Sequence, residues 1–161
     1  MTNEELAYAA GIMDGEGSIS LVKTKQRNKP PKYLNHGNLS NPNGINIRYV
    51  LSVNVGMVDR QVPEWLYEQF GGHLYYRKGQ KEGWSNQCIW QITSRLALSF
   101  LEQVFPYLKV KRVQAKIAID FQRDRKVGVG LMSIEKQADT ILYEAMRRLN
   151  QRGKVENAIT A

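Results

Sequence analysis

The sequence predicts an α+β domain of two layers, in the order αββαββα with a further C-terminal helix. Three observations carry that expectation. Two pairs of segments alternate apolar and polar residues at the period of a strand, each pair follows a stretch with helical spacing, and Gly, Pro and Asn gather between them. At 161 residues and 42% hydrophobic content the chain can bury one core but is short for two, so a single domain over 1–161 is expected.

The first helix opens on Thr2 and Glu5, a T-x-x-E capping box that places its start near Asn3 and its span at about 3–15. Within it Ala7, Ala10, Gly11 and Asp14 fall at i, i+3, i+4 and i+7, a stripe with almost no side chain. Glycine at position 11 costs a helix about 1 kcal/mol relative to alanine, which points to a packing need: another backbone can approach there. An internal helix pair and a contact between two subunits satisfy the stripe equally. Leu6, Ala9 and Met13 are expected to face the domain's own core.

The first strand pair comes next. Ile19 and Leu21 alternate with Ser20, Val22 and Thr24, and in IRYVLSVNV the residues Tyr49, Leu51, Val53 and Val55 alternate with Arg48, Ser52 and Asn54. Between them, KTKQRNKPPKYLNHGNLSNPNGIN reads as a long loop, and loops of that length are commonly functional or disordered. VDRQVPEWLYEQFGG sets Val62, Trp65, Leu66 and Phe70 at helical spacing, with Pro63 in the first turn and Gly71-Gly72 at the end. In the second pair Leu74 and Tyr76 oppose Tyr75 and Arg77, and Cys88, Trp90 and Ile92 oppose Gln87, Gln91 and Thr93. The next helical stripe reads Leu96, Ser99, Phe100 and Gln103 or Val104, ended at Pro106. RVQAKIAIDFQRDRK and a C-terminal segment at about 134–151, stopped by Gly153, are further amphipathic helices.

Charge narrows the function. The formal charge is +8 with a pI near 9.6, a balance that favours a polyanionic partner. It is unevenly spread: from Gly17 to Val58 there is no Asp or Glu, while Lys23, Lys25, Arg27, Lys29, Lys32 and Arg48 fall inside. If the apolar strand faces take the helices, Ser20, Thr24, Arg48, Ser52, Asn54, Tyr75, Arg77, Gln87 and Gln91 look outward. Arg can bind guanine bidentately, Asn and Gln can bind adenine, and a β-ribbon fits the major groove. Any half-exposed sheet has a polar face; the carboxylate-free window tips the reading toward double-stranded DNA. Val22, Lys25, Gln26, Arg27, Lys29, Lys78 and Lys109 complete the expected contact set. The segment RDRKVGVG lacks the context of a phosphate-binding Gly loop and reads as a helix exit, with Arg123, Arg125 and Lys126 toward the DNA backbone.

Other classes recede. No apolar run reaches a membrane-spanning length and the N-terminus lacks the form of a signal peptide, so an intracellular protein with no membrane partner is expected. A prokaryotic cytoplasm, or the matrix or stroma of an organelle that makes the protein itself, fits. Cys88 is the only cysteine, which excludes an internal disulfide and a cysteine-based zinc site and leaves it a small hydrophobe. His36 and His73 are read as surface or DNA-facing residues rather than ligands.

Asp14 and Glu16 bracket Gly15 where the first helix should stop, although the helix dipole disfavours negative charge at a C-terminus. A solvated D-G-E-G turn is one explanation. A hard divalent cation held by carboxylate, carbonyl and water oxygens is the other.

These residues carry a resemblance. Ala9-Ala10-Gly11-Ile12-Met13-Asp14-Gly15-Glu16-Gly17 resembles the nine-residue motif of the LAGLIDADG homing endonucleases, departing from it at Ala9, where Leu leads, and at Glu16, where Asp is usual. FPYLKVKRVQAKI, Phe105 to Ile117, resembles the P-x-L-x-x-K segment that follows the family's second hairpin, and the element order agrees along nearly the whole chain. The resemblance implies an antiparallel saddle-like sheet with helices on one face and DNA on the other. It implies metal-dependent phosphodiester hydrolysis, with Mg²⁺ or Mn²⁺ held by Glu16 and the Gly15 carbonyl, Lys111 as the basic residue near the attacking water, and Asn54 and Arg60 in the family's polar and basic positions. It also implies twin motif helices meeting along Ala7, Ala10, Gly11 and Asp14. Only one motif occurs, so the implied active form is a homodimer reading a long pseudo-palindromic site, as in intron homing. Some relatives act as RNA maturases and others only bind DNA, and both remain as alternatives.

Overall fold

A computed structural model describes residues 1–27, 45–79, 81, 83–123, 125 and 133–151. Its elements are α1 (Asn3–Gly15), β1 (Gly17–Arg27), β2 (Ile45–Met57), α2 (Gln61–Phe70), β3 (His73–Arg77), β4 (Gln87–Thr93), α3 (Ser94–Val104), α4 (Arg112–Arg123) and α5 (Ser133–Asn150). The strands form one antiparallel sheet in the order β1-β2-β4-β3. This is the expected α+β architecture, αββαββ followed by helices.

The alternation read from the sequence sets the two faces. Ile19 pairs with Val53, Leu21 with Leu51, Val53 with Ile92 and Val55 with Trp90, and all of these are buried. Helices α2 to α5 pack on that face, with α3 on β2, α2 on β4, and α4 and α5 on β1. Phe70, Trp90 and Phe100 meet edge to face within it, and the Trp90 indole N–H donates to the Gly71 carbonyl at 2.8 Å, so the ring buries no unpaired donor. Gly71 has φ +69° and Gly72 has φ +100°, where a Cβ on Gly72 would sit 2.4 Å from Ile92; both glycines are needed to turn α2 back into β3.

Two expectations change. β1 runs to Arg27 and β2 starts at Ile45, so Lys23–Arg27 and Ile45–Asn46 are paired strand rather than loop. Backbone pairing does not require apolar side chains on an exposed ribbon, and the apolar pattern alone therefore ended the strand too early. In α3 the buried residues are Ala97, Leu98, Phe100, Leu101 and Val104, while Leu96, Ser99 and Gln103 are exposed, a rotation that brings Ala97 and Leu101 into the core. Lys29, Lys32, His36 and Lys126 lie outside the described residues, as do the side chains of Gln26 and Arg27.

Candidate metal centre and nucleic-acid interface

The α1–β1 turn is built from the helix end outward. Thr2 caps α1 with the full capping box, its Oγ1 accepting the Glu5 N–H and the Glu5 carboxylate accepting the Thr2 N–H. At the other end Glu16 is the C-cap, its N–H bonded to Ile12 O at 2.8 Å. Gly17 must be glycine: a Cβ there would lie 2.5 Å from the Met13 side chain and 2.8 Å from its Cα, so the strand can start beneath the helix only with no side chain at this position. The Glu16 side chain projects into solvent at this turn.

Asp14 does something different. Its carboxylate accepts the backbone N–H of Lys109 at 2.7 Å and of Lys111 at 2.8 Å, while its own carbonyl accepts the Lys111 ammonium at 2.6 Å. Lys111 is the residue from which α4 starts, its carbonyl receiving the Ala115 N–H, and the sequence before α4 offers no Ser, Thr, Asp or Asn to cap it. Asp14, 97 residues away in sequence, binds the segment leading into α4 and so sets a negative charge near that helix's start. The repulsion at the end of α1 is thereby offset by attraction at the start of α4. Partial burial raises the Asp14 pKa, but the N–H groups of Lys109, Lys111 and Val110 and the charge of Lys111 outweigh it and hold the carboxyl below its ordinary 3.8.

The small residues of α1 divide between two faces. Ala9, Ala10 and Met13 have no exposed surface; Ala7, Gly11 and Gly15 are exposed, and a Cβ on either glycine would meet nothing within 4 Å. Ala10, expected on the partner-facing stripe, is instead part of the chain's own core. Asp14, expected there too, spends its carboxylate inside the chain.

The sheet's outer face carries rows of polar side chains set by the register. Ser18, Asn54, Gln91 and His73 align across all four strands at the end nearest Glu16. Ser20, Ser52 and Thr93 form the next row, and Thr24 pairs with Arg48 further out. Tyr75 and Arg77 continue this face on β3 and are exposed, and Gln87, opposite Arg77, is half-buried. Ser18, absent from the expected set, is found by its partnership with Asn54; parity along β1 was the available signal. Ser52 is 2% exposed and accepts the Gln91 amide at 3.0 Å, so it orients Gln91 rather than presenting itself to a partner.

Several expected contacts lie elsewhere. Lys25 shares the strand parity of Ile19 and Leu21, on the helix side of the sheet beyond the helices, and Lys23 on that side sits over the Tyr143 ring. Arg60 pairs with Glu64 at 3.2 Å and lies over the Tyr76 ring, which is on the helix side of β3, so its guanidinium is not directed to the α1–β1 turn. Arg123 pairs with Glu102, and Arg125 binds Asp139 and the Tyr49 carbonyl; both tie helices to one another instead of facing outward. Val22 and Thr24 are exposed on the outer face, and Lys78 and Lys109 are exposed at the end of β3 and before α4.

Glu16 and the Gly15 carbonyl are hard oxygen donors of the kind that suit Mg²⁺ or Mn²⁺. Among the described residues no three His, Cys, Asp or Glu side chains converge. No described helix is long and apolar enough to cross a membrane.

No protein-family model matches the chain, and no curated protein matches it. Solved structures do. The homing endonuclease I-CvuI, in complex with the I-CreI target in the presence of 2 mM Mg with the DNA not cleaved, superposes with a TM-score of 0.67 at 19% identity over 94% of this chain and 85% of its own. The archaeal intron-encoded homing endonuclease I-Vdi141I, complexed with DNA, gives 0.70 at 17% identity over 94% and 87%. The meganuclease I-SmaMI, bound to uncleaveable DNA, gives 0.61 at 13% identity over 92% of this chain but only 46% of its own. The fold is that of the LAGLIDADG homing endonucleases.

Proposed function

We propose that this chain, which has the homing endonuclease fold, is a site-specific DNA endonuclease of the intron-encoded type that works as a homodimer on a long pseudo-palindromic site. The observation that carries the reading is the unequal use of the two acids at the end of α1. Asp14 is consumed by the start of α4, whereas Glu16 stands exposed where the helix, the polar row of the sheet and Lys111 meet. An exposed carboxylate beside a DNA-facing surface repels phosphate unless a cation intervenes.

Glu16 and the Gly15 carbonyl would hold Mg²⁺ or Mn²⁺, which when bound would supply Lewis acidity at the scissile phosphate. The chain's own groups do the rest. Lys111, held at 2.6 Å from the Asp14 carbonyl, brings a positive charge to the turn to stabilise negative charge developing on the phosphate oxygens. Asn54, paired with Ser18 and Gln91, orients solvent or a sugar–phosphate oxygen at the same end of the sheet. Ser20, Thr24, Arg48, Gln91 and Tyr75 face the DNA grooves.

The homodimer follows from chemistry and surface together. Cutting two strands calls for two such acids, and one chain holds one; the exposed face of Ala7, Gly11 and Gly15 lets a second α1 approach and bring its Glu16 alongside. The chain spans 85% and 87% of the DNA-bound I-CvuI and I-Vdi141I chains and about half of I-SmaMI, which agrees with one motif per chain.

The test is cleavage of a duplex library by wild type and Glu16→Gln, with ends sequenced in Mg²⁺ and in EDTA. Wild type is expected to cut a discrete long site only with metal, and Glu16→Gln to bind that site without cutting it. Equal cleavage by both sinks the assignment of Glu16. Binding with no metal-dependent cleavage by wild type makes the chain a DNA-binding protein, and selective retention of intron RNA makes it a maturase.

A further inference from the structure

The turn between β3 and β4 encloses a feature that sheet parity does not account for. Val58, Arg77, Lys78, Gly79, Trp84, Ser85 and Gln87 line a cleft of about 430 Å³. Trp84 is 62% exposed, far more than a tryptophan retained for packing. The turn is nonetheless built to hold it. The Gly79 N–H donates to Asn86 Oδ1 at 3.1 Å, the Trp84 N–H donates to Lys81 O at 3.1 Å, and a Cβ on Gly79 would lie 2.1 Å from the Trp84 carbonyl. Lys81 places its ammonium 5.5 Å from the centre of the indole.

The chemistry of the walls selects an occupant. Arg77 and Lys78 in the walls are cationic, as is Lys81 over the Trp84 ring, and the whole RKGQKEGW stretch holds three cations against the single acid Glu82. Cations beside an exposed aromatic face match one nucleotide: a phosphate for the charges, and a sugar or base for the ring. Position selects it as well. Arg77 pairs with Gln87, Met57 with Cys88 and Val55 with Gly17, so the cleft opens at the same end of the sheet as Glu16, displaced across β2 and β4. Three strand spacings across the sheet and about three residues along it separate the two by roughly 17 Å.

We propose that this cleft is a backbone subsite for duplex DNA, in which Arg77 and Lys78 take one phosphate and Trp84 packs on the sugar of the same nucleotide. It rests on the DNA-binding reading above and adds to it a contact that is independent of sequence. Trp84 supplies area rather than charge, so the two kinds of residue leave different signatures in salt.

The experiment titrates full-length wild type, Trp84→Ala, Trp84→Phe and Lys78→Ala with a pool of random-sequence 40-base-pair duplexes over a range of KCl, following affinity and tryptophan emission. Trp84→Ala is expected to weaken binding several-fold with an unchanged salt slope, and Trp84→Phe to recover most of the loss. Lys78→Ala is expected to flatten the slope by about 0.9. Emission should change on binding in wild type and not in Trp84→Ala, since Trp90 is buried and Trp65 half-buried. Unaltered affinity and emission in Trp84→Ala, with wild type binding normally, overturns the subsite and leaves the DNA reading standing. No duplex binding by wild type overturns both, and a Trp84 effect confined to single-stranded RNA assigns the cleft to another partner and overturns it too.

Discussion

Asp14 and Glu16 stand two residues apart in one turn, yet the structure gives them opposite work. The three backbone N–H groups and the ammonium around Asp14 stabilise its ionised form, so the folded pKa lies below the unfolded value of 3.8. The sign follows directly: this stabilisation is complete above pH 3.8 and disappears as pH falls through the folded value. Asp14→Asn is expected to cost about 1–3 kcal/mol at pH 7, the range for losing part-buried hydrogen bonds to a charged group. The gap between variant and wild type should close as acid unfolding is followed down through that window by circular dichroism. Glu16→Gln, lacking such partners, is expected to leave the melting temperature within about 2 °C of wild type, as exposed substitutions do. Cys88 is a third case. Burial pushes its thiol above the ordinary 9.0, and at 1% exposure it is expected to resist alkylation at pH 8 until the protein is denatured.

At the scale of the element, α1 is a helix with two different small faces. Ala9 and Ala10 are small because the chain's own core presses on them, with no exposed surface at either; Ala7, Gly11 and Gly15 are small although nothing in the chain touches their open sides. Gly11→Ala should therefore stabilise the single subunit by about 1 kcal/mol through helix propensity. Gly11→Leu should leave the subunit folded but shift sedimentation from dimer to monomer and abolish double-strand cleavage. A monomeric wild type, or a Leu variant that dimerises equally well, would remove the twin-helix contact from the mechanism. The spacing of small residues was legible in the sequence, but Ala10 could not be assigned to a side, because 100° of helix rotation separates Ala10 from the neighbouring Gly11. The same limit misplaced Leu96 in α3.

At the scale of the molecule, the sheet turns strand alternation into a surface. Its outer rows, Ser18-Asn54-Gln91-His73 and Thr24-Arg48, lie on one side, while Lys23 and Lys25 belong by parity to the other. Arg48→Ala is expected to weaken DNA binding and lower its salt slope by about 0.9, whereas Lys25→Ala should change both much less. Equal effects from the two would mean that DNA wraps past the sheet edge onto the helix side. Most of this surface was readable from period-two alternation, because a strand side chain's face depends only on its parity. The ends of β1 and β2 were not, because polar residues pair through their backbones as readily as apolar ones do. Arg123 and Arg125 read as DNA contacts on charge and Arg60 as a basic site residue on resemblance, and the fold instead gives each a carboxylate partner: Glu102, Asp139 and Glu64.

The sequence by itself determined what local rules govern: the capped first helix, the two alternating strand pairs, the acid-free window and the motif acids beside Gly15 and Gly17. Tertiary structure decided which acid is held inside the fold and which is exposed. The backbone N–H groups of Lys109 and Lys111, just ahead of α4, take the Asp14 carboxylate from across the fold, leaving Glu16 in solvent. That choice depends on two helix ends meeting 97 residues apart in the chain, a contact that neither end announces alone.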